Sequence, residues 1–220
     1  MYNFLELAYI AMDKNKKLPR VYTFQFKEKD YIGLNTVFSP IVYEDTFFFL
    51  QHIPIVQGGS FLEIGCGTGI ISVNAAVSGY EKVVAIDINP DAIIAAKLNA
   101  VLHQVEMKMD IFVSNIFQYI KPSLYNVIFW NAPFIHHQKE GLSLIEKSVM
   151  GNYTEGISTY ISTAKSFLAP KGRVFLGFSS TCGDLDLLRE ICAQSQADLS
   201  LLATQVIEEI EVEFFEIVYR

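Results

Sequence analysis

From residue 60 onward, short apolar runs alternate with segments of helical periodicity, and this alternation limits the folds open to the chain. The apolar runs have the length of strands and are bounded by turn residues. Strands that alternate with helices form a parallel sheet with helices on both faces. The predicted strands are 60–64, 83–88, 107–113, 126–131, 173–179, 200–207 and 212–219, and the predicted helices are 68–78, 89–103, 154–168 and 184–194.

The last two predicted strands break the alternation, because no helix separates them. Parallel neighbours need a long crossover, so a pair without one must be antiparallel. We therefore predict an α/β fold with a seven-stranded mixed sheet whose last strand is antiparallel. Residues 60–220 form this domain. Residues 1–59 are expected to be a smaller N-terminal extension, with a hairpin near 23–34 and a helix at 43–52.

The charge balance limits the partners of the chain. Its 220 residues carry a net charge of −7, whereas a protein that binds nucleic acid unaided usually presents a basic face. The one basic cluster is Lys14, Lys16, Lys17 and Arg20. The negative net charge weakens the case for a nucleic-acid substrate without excluding one.

The cysteines, the histidines and the apolar runs exclude other classes of protein. Three scattered cysteines without CxxC spacing rule out a disulfide framework, and with no HxxxH pair among four histidines we predict no metal site. No apolar run reaches eighteen residues, and the N-terminal charges follow the apolar part, unlike those of a signal peptide. We expect a cytoplasmic protein without a membrane partner.

A glycine-rich turn, EIGCGTG, joins the strand at 60–64 to its helix. Gly65, Gly67 and Gly69 allow a tight turn and let a ligand approach the backbone. Their spacing is GxGxG rather than the GxGxxG that binds a pyrophosphate at a helix start. The carboxylate of Glu63 would repel a phosphate at this loop. The turn therefore favours a ligand with a positively charged group, such as an amino acid.

An acidic residue, Asp87, ends the next strand eighteen residues after Gly69. In this topology such a residue accepts hydrogen bonds from the two ribose hydroxyls of a nucleoside. Ile88 follows it and is placed to lie against an adenine ring. Asn89 and Pro90 already suit the start of the following helix, so Asp87 is not needed as its cap.

These two motifs together resemble those of class I S-adenosylmethionine-dependent methyltransferases, a likeness that covers residues 60–220. The resemblance implies a Rossmann-like fold and S-adenosyl-L-methionine as the cofactor. It assigns Glu63 and the glycine loop to the methionine part of the cofactor, Asp87 to the ribose and Ile88 to the adenine. Most members of the family use an aspartate after the third strand to receive the adenine amino group. Asn115 takes that place here, and the rival Asp110 falls within a strand.

A tetrapeptide, Asn131-Ala132-Pro133-Phe134, follows a buried strand at its carboxyl end, where ligands bind in open α/β sheets. The lone pair of an amide or exocyclic amine is conjugated, so that nitrogen is a poor nucleophile. The side-chain oxygen of Asn131 and the carbonyl of Ala132 can hold the two N–H groups and aim the lone pair at a methyl group. Pro133 keeps Ala132 extended, and the Phe134 ring can stack on a planar group. Positioning then supplies most of the rate.

This tetrapeptide resembles the (N/D)PP(Y/F) motif of amino-group methyltransferases, with alanine in place of the first proline. Two branches stay open. The segment 37–50 resembles both release-factor glutamine methyltransferases and small-domain ribosomal RNA guanine methyltransferases. The stretch SNIF before NAPF is similar to the RNA branch, whereas the acidic charge favours a protein.

We therefore expect N-methylation of a planar nitrogen in a release-factor-like protein or in ribosomal RNA. A small-molecule methyltransferase and a non-catalytic module that binds S-adenosylmethionine are the alternatives. The extension 1–59 is expected to cover the substrate or the cofactor.

Overall fold

The computed structural model describes residues 4–138 and 140–220. Its helices are α1 (Phe4–Lys17), α2 (Asp45–His52), α3 (Ile70–Ser78), α4 (Pro90–Leu102), α5 (Leu144–Lys147), α6 (Gly156–Ala164) and α7 (Leu185–Gln194). Its strands are β1 (Val21–Phe26), β2 (Lys29–Leu34), β3 (Ser60–Ile64), β4 (Lys82–Asp87), β5 (Met109–Val113), β6 (Tyr125–Asn131), β7 (Ile135–His136), β8 (Met150–Gly151), β9 (Leu168–Phe178), β10 (Ala197–Ile207) and β11 (Ile210–Tyr219).

A seven-stranded sheet in the order β10-β11-β9-β6-β3-β4-β5 forms the centre of the molecule. Strands β3, β4, β5, β6 and β9 pair in parallel, and β11 is antiparallel to both β9 and β10. The predicted mixed sheet with its last strand antiparallel is confirmed. The helix-free turn makes β10 and β11 antiparallel neighbours, and β11 lies between two strands that precede it in the sequence.

Alternate residues of the central strands enter two different hydrophobic cores, because helices cover both faces of the sheet. In β6, Phe129 packs with α2, α3 and the β1–β2 hairpin, and Ile128 packs with α6 and α7. In β3, Phe61 and Leu62 divide between the same two cores. Both faces of the sheet are therefore buried, as the continuous apolar runs predict.

The buried side chain of Asn99 joins the β1–β2 hairpin to α4. Asn99 accepts a hydrogen bond from the backbone N–H of Ile32 at 2.7 Å and donates one to its carbonyl at 2.8 Å. Asn99 also donates to the carbonyl of Thr68 at 2.8 Å, beside the glycine-rich turn. The hairpin and the turn thus share one buried amide.

Several boundaries differ from the prediction by two or three residues, the largest shifts are those of α6 and β9, and two segments were not predicted. The helix expected at 154–168 ends at Ala164, and β9 already begins at Leu168 because Leu168 pairs with Tyr125. The sequence pattern did not predict α1 or the segment that holds β7, α5 and β8. Within the ranges 4–138 and 140–220, no helix combines the length and apolarity needed to span a bilayer.

Candidate active site

A cavity lies at the carboxyl ends of β3, β4 and β6. Most of the residues that the sequence assigns to the cofactor line it, and so do two residues of the tetrapeptide. These are Glu63, Gly65, Gly67, Asp87, Ile88, Asn115, Asn131 and Pro133. Residues that are far apart in the sequence therefore meet at the carboxyl ends of the strands because of the sheet topology.

The three glycines of the turn all have positive φ angles, between 53° and 75°. A Cβ on Gly67 would meet only the carbonyl of Phe38, at 3.8 Å, so the space above this residue is open. A Cβ on Gly69 would lie 2.7 Å from the Cβ of Ala96 in α4. Gly67 therefore leaves room at the cavity, whereas Gly69 serves the close packing of α3 against α4.

The carboxylate of Asp87 is held by two backbone N–H groups. Gly67 donates to one of its oxygens at 2.9 Å and Asn89 donates to the other at 2.8 Å. Burial raises the pKa of Asp87. Each oxygen keeps a lone pair, so the fixed carboxylate can still accept hydrogen bonds from a ligand.

Glu63 is a buried carboxyl at the base of the cavity, exposed by only 2%. The hydroxyl of Ser72 donates a hydrogen bond to it. Burial nevertheless raises the pKa of Glu63 to about 8, because the hydrogen bond offsets only part of the desolvation. At pH 7 the carboxyl is therefore mostly neutral unless a positive group pairs with it.

Ile88 and Asn115 lie together at the first cavity. Both line the cavity and both are exposed. Asp110, the rival for the place of Asn115, lies inside β5 opposite Val84. The structure therefore places Asn115, and not Asp110, at the cavity.

Asn131 ends β6 and contacts a residue that the sequence analysis did not single out. Its Nδ2 donates to Oδ2 of Asp45 at 2.9 Å. Its Oδ1 is buried and has no hydrogen-bond partner in the described part of the chain. Burial raises the pKa of Asp45 to about 7. Because Asp45 holds the NH₂ group, the Oδ1 of Asn131 is the amide atom left for a ligand.

A second, mostly apolar cavity meets the first at Asn131, which lines both. Ala132 and Phe134 line the second cavity, and α1 borders it. The backbone of Ala132 is fixed by its N–H, which donates to the carbonyl of Gly177 at 3.3 Å. The structure thus divides the tetrapeptide: Pro133 faces the first cavity, Ala132 and Phe134 face the second, and Asn131 lies where the two join.

Two polar residues of the second cavity, Asp45 and Tyr43, were missed at the sequence level. The Tyr43 hydroxyl is buried without a hydrogen-bond partner among the described residues, and its ring stacks on Phe38 at 4.1 Å. Both lie in the segment VYEDT, whose acidic pair suggests only the start of a helix. Burial of an acidic side chain is the signal that marks Asp45. Its exposure of 6% can be read only from the folded structure and not from the sequence.

No group of three or more histidine, cysteine, aspartate or glutamate side chains in the described ranges could hold a metal ion. The acidic residues of the first cavity are instead engaged by backbone N–H groups and by Ser72.

Comparisons with known proteins agree on one family. The sequence model of the family described as the methyltransferase small domain matches residues 30–200. A Methanocaldococcus jannaschii protein, provisionally named a protein N5-glutamine methyltransferase, is 37% identical over 106 residues, which cover 47% of this chain and 52% of that protein. The chain therefore spans about half the length of this relative.

Two solved structures share the fold at low sequence identity. The M. jannaschii tRNA m1G37 methyltransferase has a TM-score of 0.63 at 17% identity, over 93% of this chain and 59% of that one. A protein described as a methyltransferase complexed with S-adenosylhomocysteine has a TM-score of 0.66 at 13% identity, over 91% and 57%. At these identities the likeness concerns the fold alone.

Proposed function

Because the chain belongs to the methyltransferase small domain family, we propose that it is an S-adenosylmethionine-dependent enzyme that methylates the side-chain amide nitrogen of a glutamine in a protein. The observation that carries this proposal is the buried Oδ1 of Asn131, an acceptor without a partner among the described residues, at the junction of two cavities. Buried acceptors are rarely left without a donor, and an amide NH₂ is a donor of the right kind.

The residues of the first cavity fit the cofactor. The buried carboxyl of Glu63 suits the amino group of the methionine part, and the open space above Gly67 admits the chain. Asp87 keeps lone pairs for the ribose hydroxyls, and Ile88 and Asn115 border the place of the adenine. The cofactor supplies an electrophilic methyl group on its sulfonium sulfur.

The residues of the second cavity hold and aim the substrate nitrogen. Oδ1 of Asn131 accepts one N–H of the target amide, and the carbonyl of Ala132 accepts the other. Asp45 positions Asn131 and does not itself bind the substrate. Its hydrogen bond keeps the NH₂ group of Asn131 turned away from the substrate. The proton that the nitrogen must lose becomes acidic once the nitrogen is alkylated, so positioning rather than prior deprotonation supplies most of the rate.

Three observations favour a protein amide as the substrate. The relative from M. jannaschii bears the name of a protein glutamine methyltransferase. The net charge of −7 disfavours a polyanionic substrate. The second cavity is mostly apolar, and its lining carries Glu44, Asp45 and Glu208 against the single cation Lys14, which suits a side-chain amide better than a polyanion.

RNA is a second candidate because of one specific feature. Lys14 lines the second cavity from α1, and Lys16, Lys17 and Arg20 follow it along the chain. Of these four cations, Lys14 borders the second cavity itself. They would contact the phosphates of an RNA whose exocyclic base amine entered the second cavity.

The deciding experiment is transfer of a tritiated methyl group from S-adenosylmethionine to a cell lysate, with Asn131→Ala as the matched inactive control. We expect label in protein, resistant to nuclease and recovered as N-methylglutamine after proteolysis. Label that is lost on RNase treatment would support the RNA candidate. Label only in small molecules would reject both macromolecular substrates.

Binding of S-adenosylhomocysteine without labelling of any fraction would support a non-catalytic module.

A further inference from the structure

Helix α4 presents large aliphatic side chains to solvent. Ile94, Leu98, Val101 and Leu102 are exposed by 52%, 44%, 60% and 47%. They recur at i, i+4, i+7 and i+8, the spacing of a single helix face. The buried face of the same helix consists mainly of alanines, at positions 92, 95, 96 and 100. The larger apolar side chains of α4 are thus on the outside and the smaller ones on the inside.

Two other helices that cover the sheet, α6 and α7, do not share this distribution. The exposed positions of α7 include Asp186, Arg189 and Glu190, and those of α6 include Thr159 and Ser162. A helix that is apolar all round is normally buried on all sides. The outer face of α4, where Lys97 is the one charged residue among the exposed positions 94–102, therefore has the composition of an interface.

The apolar face of α4 continues to the free edge of the sheet. Met107, before β5, is exposed by 93%, and Val113, at the end of β5, by 44%. Strand β5 is the last strand on this side of the sheet. We call this set the α4–β5 surface; its members are Ile94, Leu98, Val101, Leu102, Met107 and Val113.

The size of the α4–β5 surface approaches that of a stable interface. From their fractional exposures, the six side chains present on the order of 600 Å² of mostly apolar area, compared with about 800 Å² that each partner buries in a standard complex. The largest apolar patch on a typical monomer covers about 300–600 Å² and is often a contact site, so this surface lies at the top of that range. The backbone edge of β5 would add further area.

We propose that the α4–β5 surface is a homodimer interface, in which a second copy of the chain applies the same surface across a two-fold axis. A strand that meets its own copy about such an axis pairs with it antiparallel. Helix α4 contacts both β4 and β5. If two β5 edges pair, the two α4 helices lie about two strand spacings apart, roughly 9.6 Å. Helices pack at about 8–10 Å, so both contacts can form together.

The dimer would leave the two cavities open, because none of the six residues lines either of them. The proposal is therefore independent of the reaction that the site performs. A dimer disrupted at this surface should still bind S-adenosylhomocysteine.

Sedimentation equilibrium of the full chain, with Leu98→Glu and a matched control, tests the proposal. The control is Leu201→Glu, an exposed leucine of β10 at 53% exposure on the other side of the sheet. We expect the wild type and the control to be dimers at micromolar concentration. Leu98→Glu should be monomeric, with the dimer Kd raised at least about 100-fold.

Thermal unfolding and S-adenosylhomocysteine binding of Leu98→Glu verify that the variant is folded, and Val101→Lys replaces it if it is not. A wild type that stays monomeric at about 100 µM would overturn the proposal and assign the surface to a different partner. An unchanged dimer in the α4 variants, or equal dissociation of Leu201→Glu, would overturn it as well.

Discussion

At the scale of single residues, the contact between Asn131 and Asp45 determines which atom of the Asn131 amide is left without a protein partner at the junction of the two cavities. Asp45 is an acceptor, so it holds Nδ2 at 2.9 Å and leaves Oδ1 without a partner among the described residues. The two residues are 86 positions apart in the sequence. Local patterns predict Asn131 from its tetrapeptide, but they cannot predict which side chain orients it.

Replacing Asn131 by alanine should lower kcat by about 10²–10³, comparable to deleting one donor of an oxyanion hole. The Kd for S-adenosylhomocysteine should change less than twofold. Asn131→Asp should be nearly as damaging, because it removes the donor to Asp45 and sets two carboxyl groups against each other. Single-turnover rates on the labelled substrate measure both variants. A wild-type rate for Asn131→Ala would reject the amide-holding role.

Asp45→Ala should lower kcat about tenfold or more, because the Asn131 amide loses its fixed orientation. Asp45→Asn is the matched control, since its side-chain oxygen can still accept from Nδ2 of Asn131. We expect the asparagine variant to keep most of the rate. Equal losses in the two variants would show that the charge of Asp45, rather than its hydrogen bond, matters. The comparison requires kcat and the cofactor Kd of each variant.

The affinity for S-adenosylhomocysteine should rise with pH between about 6 and 8. The pKa of Glu63 is about 8 in the free protein, and pairing with the ligand's ammonium group requires the ionised carboxylate. Binding therefore releases a proton below pH 8, which changes Kd by at most about tenfold per pH unit. Calorimetry in buffers of different ionisation enthalpy measures that proton. Glu63→Gln should bind more weakly and show no proton release; a persistent release would place the ammonium group elsewhere.

At the scale of elements, the sequence pattern predicts the sheet and most of its helices because these depend on local periodicity and caps. Asn89, for example, caps α4 by accepting from the N–H of Asp91 at 3.0 Å, as its sequence position indicates. Helix α1 and the segment from β7 to β8 were missed because they pack mainly on each other. Ala8 and Met12 of α1 meet Ile145 and Met150 there, and no internal pattern in either segment reveals that contact.

Gly69→Ala should destabilise the fold by about 2–4 kcal/mol, since it combines a strained φ with overpacking. The φ of Gly69 is +75°, and its added Cβ would lie 2.7 Å from the Cβ of Ala96. Gly141→Ala is the matched control: its φ is +73°, with nothing within 4 Å, so it should cost only about 1 kcal/mol. Urea unfolding compares the two. Equal losses of unfolding free energy in the two variants would show that α3 and α4 can move apart to accommodate the added methyl group.

At the scale of the whole molecule, the topology brings the site together, and the sequence reveals it only in part. Glu63, Asp87 and Asn131 lie at or next to the carboxyl ends of three parallel strands, so their convergence follows once the sheet is predicted. The division of the tetrapeptide between two cavities does not follow, because it depends on where α1 lies. Distances across such junctions depend on packing rather than on sequence spacing.

The stability of the ligand-free protein should fall as pH rises from about 5 to 8. Burial raises the pKa of Glu63 to about 8 and that of Asp45 to about 7. In this window the folded state holds protons that the unfolded state has lost, so unfolding becomes easier by up to about 1.4 kcal/mol per pH unit for each group.

Urea unfolding at pH 5 and pH 8 measures the change, with Glu63→Gln/Asp45→Asn as the comparison. The double variant should be much less sensitive to pH, because neither replacement ionises. Equal sensitivity of the wild type and the double variant would mean that other groups determine the pH dependence.

The place of β11 between β9 and β10 has a consequence for biosynthesis. A ribosome makes β9 and β10 before β11; β9 can already pair with β6, but its other edge and β10 have no partner until β11 has emerged. Phe214 of β11 stacks on Phe175 of β9 at 5.0 Å, so this aromatic surface and the β9 edge stay open during synthesis. The nascent chain is a natural client for chaperones that bind exposed apolar strands, and codons that slow translation before β11 should lengthen that exposure.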